Sequence, residues 1–429
     1  MKKVAATIPL IKRYNLPHFF SYRISDTNKV RVQYQINTAL VPYSFVKNNP
    51  SPKLTSTNSM KYHNQSRRDI MLRSKLCKIL SVMITLLFLL TGCTSTDTIQ
   101  KTNAQAPAWA PTLSPLTKAA VVKVGMKQVS SDSGILIGMA KGYYADFGIQ
   151  IEPIQFSSGQ EMINQLAAGQ LDVGATVSSS GLFNAMSRDI PVKIVADKGI
   201  NIPGKGYYRL VIRKDLENTI KDYSDLKGKK IAVVGTASLD ELSLERALNK
   251  GNMTLKDVEV QVIRSFPDML VSLSNHSIDA AMVIEPFITQ GMSKGILSPW
   301  KDPFEYDPDA QTALLVFGTS LTKNPEVANR FMTAYIQSVR DYNDAFFKNK
   351  NRSEIIDILC KYSVIKDATL YETMYPTGLN PDGYLKTKGI ALDLAWYKQN
   401  NLLKSDIQLY DVIDHSYVDF ALKILGPYK

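Results

Sequence analysis

The chain has 429 residues, room for two or three compact units and a substantial core, and a formal net charge of +12. That charge is not evenly spread: residues 1–92 hold 15 lysines and arginines against only Asp26 and Asp69, and everything from Cys93 onward sums to −1. A nucleic-acid binder carries its positive charge on the folded body, so that class is excluded.

Residues 1–70 are basic and polar with scattered aromatics and no sustained apolar period. They read either as a disordered extension or, preferably, as a mis-assigned stretch ahead of a natural start at Met71 or Met60. Residues 71–92 then have the layout of a secretory signal. A basic stretch (Arg67, Arg68, Arg73, Lys75, Lys78) precedes a twelve-residue apolar run, Ile79 to Leu90. Such a run is short for a membrane span, which needs roughly 20 residues, and it fits the apolar region of an export signal. Leu90-Thr91-Gly92-Cys93 resembles the bacterial lipobox, in which the cysteine is acylated and becomes the first residue of the mature protein. A short buried helix with an incidental cysteine is the plainer alternative; flank, length and tetrapeptide together favour the signal. Cys77 would leave with the signal and Cys93 would carry lipid, so Cys360 is a lone thiol and no disulfide framework is expected. The apolar helical pattern around Cys360 (Ile355, Ile356, Leu359) predicts a core position. Residues 93–119, rich in Ser, Thr, Ala and Pro, read as a flexible tether.

From Ala120 short apolar runs alternate with helical periodicity, which predicts βα units and a largely parallel sheet. Strands are expected at Val121–Gly125, Ile149–Gln155 and Val173–Val177, with helices at Ser133–Lys141 and Gln160–Ala168 between them. A second run repeats the order: strand Lys230–Val234, helix Leu239–Asn249, strand Val258–Ile263, helix Pro267–Ser274, strand Ala280–Ile284. SGQEMINQLAAGQLDVGA from Ser158 aligns without gaps on SFPDMLVSLSNHSIDAAM from Ser265, at an offset of 107. The identities are few, so the match predicts two lobes of one design with a cleft between them. Lys193–Ala196 and Tyr208–Arg213 read as strands leading to the second lobe, Thr312–Thr319 as a returning strand, and Asn324–Lys348 as a long amphipathic helix. Residues 120–212 with 308–429 are expected to form lobe 1, and residues 213–307 lobe 2. C-terminal helices, including Leu392–Tyr397 and Tyr417–Ile424, are expected to pack back on lobe 1.

Ligands of open α/β sheets bind beyond the carboxyl ends of the strands. Four loops qualify: Met126–Asp132, Ser178–Ser180, Gly235–Ser238 and Glu285-Pro286-Phe287. GTAS (235–238) opens a helix, whose free N–H groups and dipole suit an anion, with Thr236 and Ser238 adding hydroxyls; Ser238…Glu241 is equally a capping box. Glu285 would accept from an amine, amide or ring N–H, or pair with a hinge residue. Asp172 and Asp279 precede their strands, away from the cleft, and read as turn residues. His276 matches Gly169, where a helix ends, and reads as a solvated C-terminal-turn residue. Most aromatics should be core, although Tyr207 and Tyr208 near the crossover are placed to line a cleft. There is no GxSxG, HExxH, CxxC or P-loop, so no catalytic residue, metal site or cofactor is expected.

The phrases GMAKGYYADFGIQIEPIQFSSGQEMINQLAAGQLDVGAT, DLKGKKIAVV and SIDAAMVIEPF, in this order after the lipobox, make the chain resemble the substrate-binding lipoproteins of ABC importers. The resemblance is to the nitrate/sulfonate/taurine and thiamine-pyrimidine-precursor binding family, and it covers roughly residues 121–348. It implies a type II periplasmic-binding-protein fold, an α/β architecture of two βα lobes joined by a two-strand hinge. It also implies a small-molecule ligand (sulfonate, nitrate or pyrimidine-like), an ABC permease with its ATPase as partners, and a monomer exported and lipid-anchored to the bacterial membrane through Cys93. The family's pocket falls by position near Gln128, Ser178, Ser179, Thr236, Ser238 and Glu285. A pyrimidine- or cofactor-biosynthetic enzyme on the same fold is one alternative, disfavoured because the body lacks that group's Cys-rich segment; a ligand-sensing lipoprotein is another.

Overall fold

The first residues of the folded body already fix an edge: the Leu116 N–H donates to the Phe147 carbonyl at 3.1 Å ahead of the first strand, and the Ala120 N–H to the Gly148 carbonyl at 2.9 Å at its first residue. The computed structural model describes residues 113–157, 159–188 and 190–429. The extension, the signal segment, Cys93 and most of the tether lie outside the described residues.

Among the described residues ten strands form two five-stranded sheets. In chain order they are β1 (Ala120–Met126), β2 (Ile149–Gln155), β3 (Val173–Thr176), β4 (Lys193–Ile200), β5 (Tyr208–Arg213), β6 (Lys230–Val233), β7 (Glu259–Val262), β8 (Ala280–Ile284), β9 (Leu297–Pro299) and β10 (Gln311–Phe317). The first sheet runs β2-β1-β3-β10-β4 and the second β7-β6-β8-β5-β9. In each, three parallel strands are followed by one antiparallel strand, β10 or β5. β8 (AAMVI) is apolar and buried throughout, as expected of a strand covered on both faces.

The offset of 107 is a physical repeat. Lys123 pairs with Glu152 and Val124 with Val173 in the first sheet; Lys230 pairs with Glu259 and Ile231 with Ala280 in the second. Asp172 accepts from the Lys123 N–H at 2.7 Å, and Asp279 from the Lys230 N–H at 2.9 Å. These two aspartates therefore anchor the first strand of each lobe, Asp172 midway along β1 and Asp279 at the start of β6.

The chain crosses between sheets twice, at residues 201–207 and 300–310. The expected boundary at residue 212 is corrected, since β5 pairs with β8 and β9 in the second sheet. The crossovers are tied together by the Gly204 N–H, which donates to Asp302 at 2.7 Å, and the first is tied to β10, where the Thr312 hydroxyl lies 2.8 Å from that of Tyr207.

Pro325–Phe347 is the central helix of lobe 1. Asn324 caps its first turn, proline sits at its start, and Val327, Phe331, Tyr335, Val339 and Tyr342 bury one stripe. That stripe packs with Ser133–Lys141 and Ser416–Leu425 over the outer face of the first sheet. The inner core is one continuous apolar cluster, from Met162 and Phe183 of lobe 1 through Leu239 and Leu242 of lobe 2 to Leu394 and Tyr397 near the C-terminus.

The helix Thr387–Gln399 does not simply fold back on lobe 1, as expected, but bridges both lobes. Its Asp393 pairs with Arg246 of lobe 2 at 3.0 Å, and its Trp396 indole donates to Glu245. Cys360 is only half-buried, at the edge of the lobe 1 core. Among the described residues no helix is long and apolar enough to cross a membrane.

Candidate functional site

The four strand-end loops meet in pairs across the lobes. The Ser130 hydroxyl, after β1, donates to the Glu285 carbonyl, after β8, at 3.1 Å. On the other side, Leu239 N–H donates to the Ser178 carbonyl at 3.0 Å and Ser180 N–H to the Ala237 carbonyl at 2.9 Å, an antiparallel bridge centred on Ser179 and Ser238. These contacts close the molecule over a small cavity.

That cavity is lined by Lys127, Ser131, Thr176, Lys198 and Thr312 of lobe 1, by Tyr208, Asp240 and Phe266 of lobe 2, and by Tyr207 at the first crossover. Its volume of about 20 Å³ is enough for one water. A larger open groove of about 430 Å³ lies on one edge of lobe 1, lined by Met139, Tyr144, Ile149 and Ile151 among others. It has no charged residue and takes nothing from lobe 2, so the small shared cavity is the better candidate.

The charges in the cavity are unevenly compensated. The Lys198 ammonium, buried in β4, faces Asp132 Oδ1 at 2.8 Å, an ion contact off the hydrogen-bonding angle, and donates to the Ser131 hydroxyl at 2.8 Å. Asp132 Oδ2 accepts from the Lys127 and Val129 N–H groups at 3.2 and 3.0 Å, which holds the loop in shape. The Lys127 ammonium lies 5.4 Å from the centre of the Phe266 ring and, among the described residues, makes no ion pair or hydrogen bond. Burial pulls its pKa below the usual lysine range, opposed by Asp240. Across the cleft, Asp240 accepts from the Tyr208 hydroxyl at 3.1 Å and from Ser238 at 3.5 Å, with no ion pair among the described residues. Burial raises its pKa, with Lys127 opposing.

None of the six residues expected at the pocket lines the cavity in this closed form. Gln128 adopts a left-handed φ of 58° and gives its carbonyl to Val364 N–H. The Ser178 hydroxyl donates to Asp393 at 2.6 Å, and the Ser179 hydroxyl caps Ser180–Met186 by accepting from Leu182 N–H. Thr236 is exposed. Ser238 donates to the Gly235 carbonyl at 2.7 Å instead of capping its helix, while Glu241 accepts from Ala237 N–H at 2.6 Å. The Ser238…Glu241 capping box is therefore absent, and the helix end is flanked by Asp240 and Glu241 and answered by the Ser178 carbonyl. Glu285 is fully buried. It accepts from Thr289 N–H and hydroxyl at 3.1 and 2.9 Å and from Tyr375 N–H at 3.1 Å. Burial raises its pKa to about 7.

Tyr207 and Tyr208 line the cavity, as their position by the crossover suggested. Lys127 and Lys198 were not foreseen. Lys127 stands in the loop already singled out after β1, one residue before Gln128. Lys198 continues β4 beyond KIVA, where an isolated lysine reads as solvent-facing.

Two lobes of repeated βα design, each holding loops at strand ends around a shared cavity, define the periplasmic-binding-protein architecture. Solved structures agree. The periplasmic nitrate-binding protein NrtA from Synechocystis PCC 6803 superposes with a TM-score of 0.60 at 14% identity, over 73% of this chain and 90% of that one. The alkanesulfonate-binding protein SsuA from Xanthomonas axonopodis pv. citri, bound to MOPS, gives 0.57 at 16% identity, over 70% of this chain and 100% of that one. Among curated proteins, one from Brucella abortus (strain 2308), named provisionally as a binding protein, is 31% identical over 241 residues, 54% of this chain and 68% of the relative. Residues 130–344 match the family model described as NMT1/THI5 like, and the chain belongs to that family.

Proposed function

We propose that this protein is an extracytoplasmic solute-binding lipoprotein that captures a small molecule between its lobes and delivers it to an ABC importer. The observation that carries the reading is the meeting of four strand-end loops, two per lobe, over a cavity to which each lobe brings a charged side chain. A ligand bridging both lobes stabilises the closed form by its differential affinity for it. The cavity now admits about one water, so a ligand seats only when the lobes part, and parting breaks the Ser178–Leu239 and Ser180–Ala237 bonds. Ser178, Ser179, Thr236 and Ser238 then form the mouth, with Gln128 and Glu285 at the flanking loops. The names of the relatives, which include sulfonate-, nitrate- and unspecified binding proteins, support a small polar ligand. Acylation of Cys93 would hold the protein at the membrane, each buried methylene contributing about 0.8 kcal/mol.

Titration calorimetry of ligand-stripped protein against sulfonates, nitrate and pyrimidines tests capture, with small-angle scattering following lobe closure. Binding that changes the scattering supports it; no binding to any of them counts against it. Cys93→Ala should abolish incorporation of radiolabelled palmitate and release the protein from the membrane fraction.

A further inference from the structure

The chain enters the folded body beside the open groove of lobe 1. Arg330 Nε donates to the Ser114 carbonyl at 3.0 Å, and the ring of the next residue, Phe331, stands 5.0 Å from that of Tyr144, which lines the groove. Two residues on, the Leu116 N–H is held by the Phe147 carbonyl. Leu116 lies so close to Gly148, another lining residue, that a Cβ there would meet its nitrogen at 2.8 Å. Ala119 then forms part of the rim itself. All this lies where β1 and β2 begin, at the end of lobe 1 opposite the strand-end loops.

The chemistry of the groove selects what covers it. Its volume of about 430 Å³ is lined by Met139, Tyr144 and Ile151 among others, with no charged side chain. One wall is β2, an edge strand carrying Pro153; proline removes a donor and disfavours addition of a strand from a second copy. Immediately upstream, residues 102–112 (TNAQAPAWAPT) hold no charge and one large apolar side chain, Trp109, between Pro107 and Pro111. Trp109 precedes Ser114 by five positions, a reach of up to roughly 17 Å. Flanking prolines favour an extended segment that loses little entropy on docking in an apolar, aromatic-lined groove. An aromatic side chain buries roughly 150–250 Å² on such docking.

We propose that the tether docks on lobe 1 by seating Trp109 in this groove. Docking shortens the free span between Cys93 and the body, and it holds the apolar part of the tether away from the interlobe loops. It is independent of what the cleft captures.

Photocrosslinking in the full chain tests this, with p-benzoylphenylalanine replacing Trp109 and, as controls, Ile99 or Thr112, irradiated in the membrane fraction. Peptide mapping should find a within-chain adduct on Met139, Tyr144 or Ile151 from position 109, roughly tenfold or more above either control, the ratio expected where docking is favoured by one power of ten. Ala145→Arg places a charge on the exposed rim and should cut that adduct roughly tenfold, with the melting midpoint unchanged. Adducts from position 109 mainly on lipid, on a second copy or on another protein overturn the proposal and name the other occupant. A yield no higher than from Ile99 or Thr112, or one that Ala145→Arg leaves unchanged, overturns it as well.

Discussion

His276 and Gly169 show how far a single residue's role follows from its place in a repeat. Both end a helix in the left-handed region, at φ 63° and 68°. Both are followed by the same bond back into the helix, Ser277 N–H to Ser272 and Gln170 N–H to Gln165, the pattern that favours glycine. An L-residue there costs roughly 1–2 kcal/mol, partly offset by the entropy glycine loses on folding. His276→Gly is therefore expected to stabilise the protein by about 0.5 kcal/mol in denaturant titration, and unchanged or lower stability would contradict it. Glu285 shows the reverse, a residue whose type was noticed but whose task was set by distant chain. Its pKa rises from 4.5 to about 7 because burial outweighs the bonds from Thr289 and Tyr375. A carboxyl raised on folding contributes stability that is complete below its unfolded pKa and lost as pH rises through its folded pKa. Stability should accordingly fall between about pH 5 and pH 8, by about 3 kcal/mol from this group. Asp393, raised to about 7, and Asp197, raised to about 6, both by burial, act in the same direction. Glu285→Gln should flatten the pH profile of chemical denaturation; a slope equal to wild type would remove Glu285 as its source.

Among the elements, the helix Thr387–Gln399 has the largest consequence for lobe position. Arg246 reaches from lobe 2 to Asp307 at 2.8 Å and to Asp393 at 3.0 Å, and Asp393 also takes the Ser178 hydroxyl. Removing the cation leaves two buried carboxylates without a counter-charge, which typically costs about 3–5 kcal/mol. Arg246→Leu is expected to lower the melting midpoint strongly and to enlarge the scattering radius as the lobes loosen. Lys214→Met, which breaks the exposed pair with Glu217, should leave both unchanged. The same helix docks through Gly389, where an added Cβ would meet the Asp309 carbonyl at 2.1 Å. Alanine is the better helix former by about 1 kcal/mol, yet Gly389→Ala should destabilise the folded protein, because backbone on both sides has to shift. A stabilised variant would show that the helix is free to move away from the crossover.

At the scale of the whole molecule, the two lobes are not independent bodies. A continuous apolar cluster spans both and includes Leu394 and Tyr397 of the bridging helix, with Phe183 and Tyr397 rings 5.7 Å apart. Shared burial of this kind couples the unfolding of its parts. Calorimetry of the ligand-free protein should therefore show one cooperative transition for the folded body. Two well-separated transitions would mean that the lobes hold their cores separately.

Local sequence was sufficient for the βα order, the helix at Ser133–Lys141, the strands Ile149–Gln155, Tyr208–Arg213 and Ala280–Ile284, and the 107-residue repeat, because periodicity and turn residues act over a few positions. It also marked the four loops, since strand ends are where a parallel sheet exposes its backbone. Which side chains of those loops face the cavity was settled only by tertiary structure. Lys127 and Asp240 lie 113 positions apart in the chain and face one cavity because two crossovers fold lobe 2 onto lobe 1. Ser178 and Glu285 are directed away by Asp393 and Tyr375, partners contributed by the C-terminal segment. Contacts of that sequence separation leave no periodic trace, and burial alone decides which of the polar groups they leave without a counter-charge.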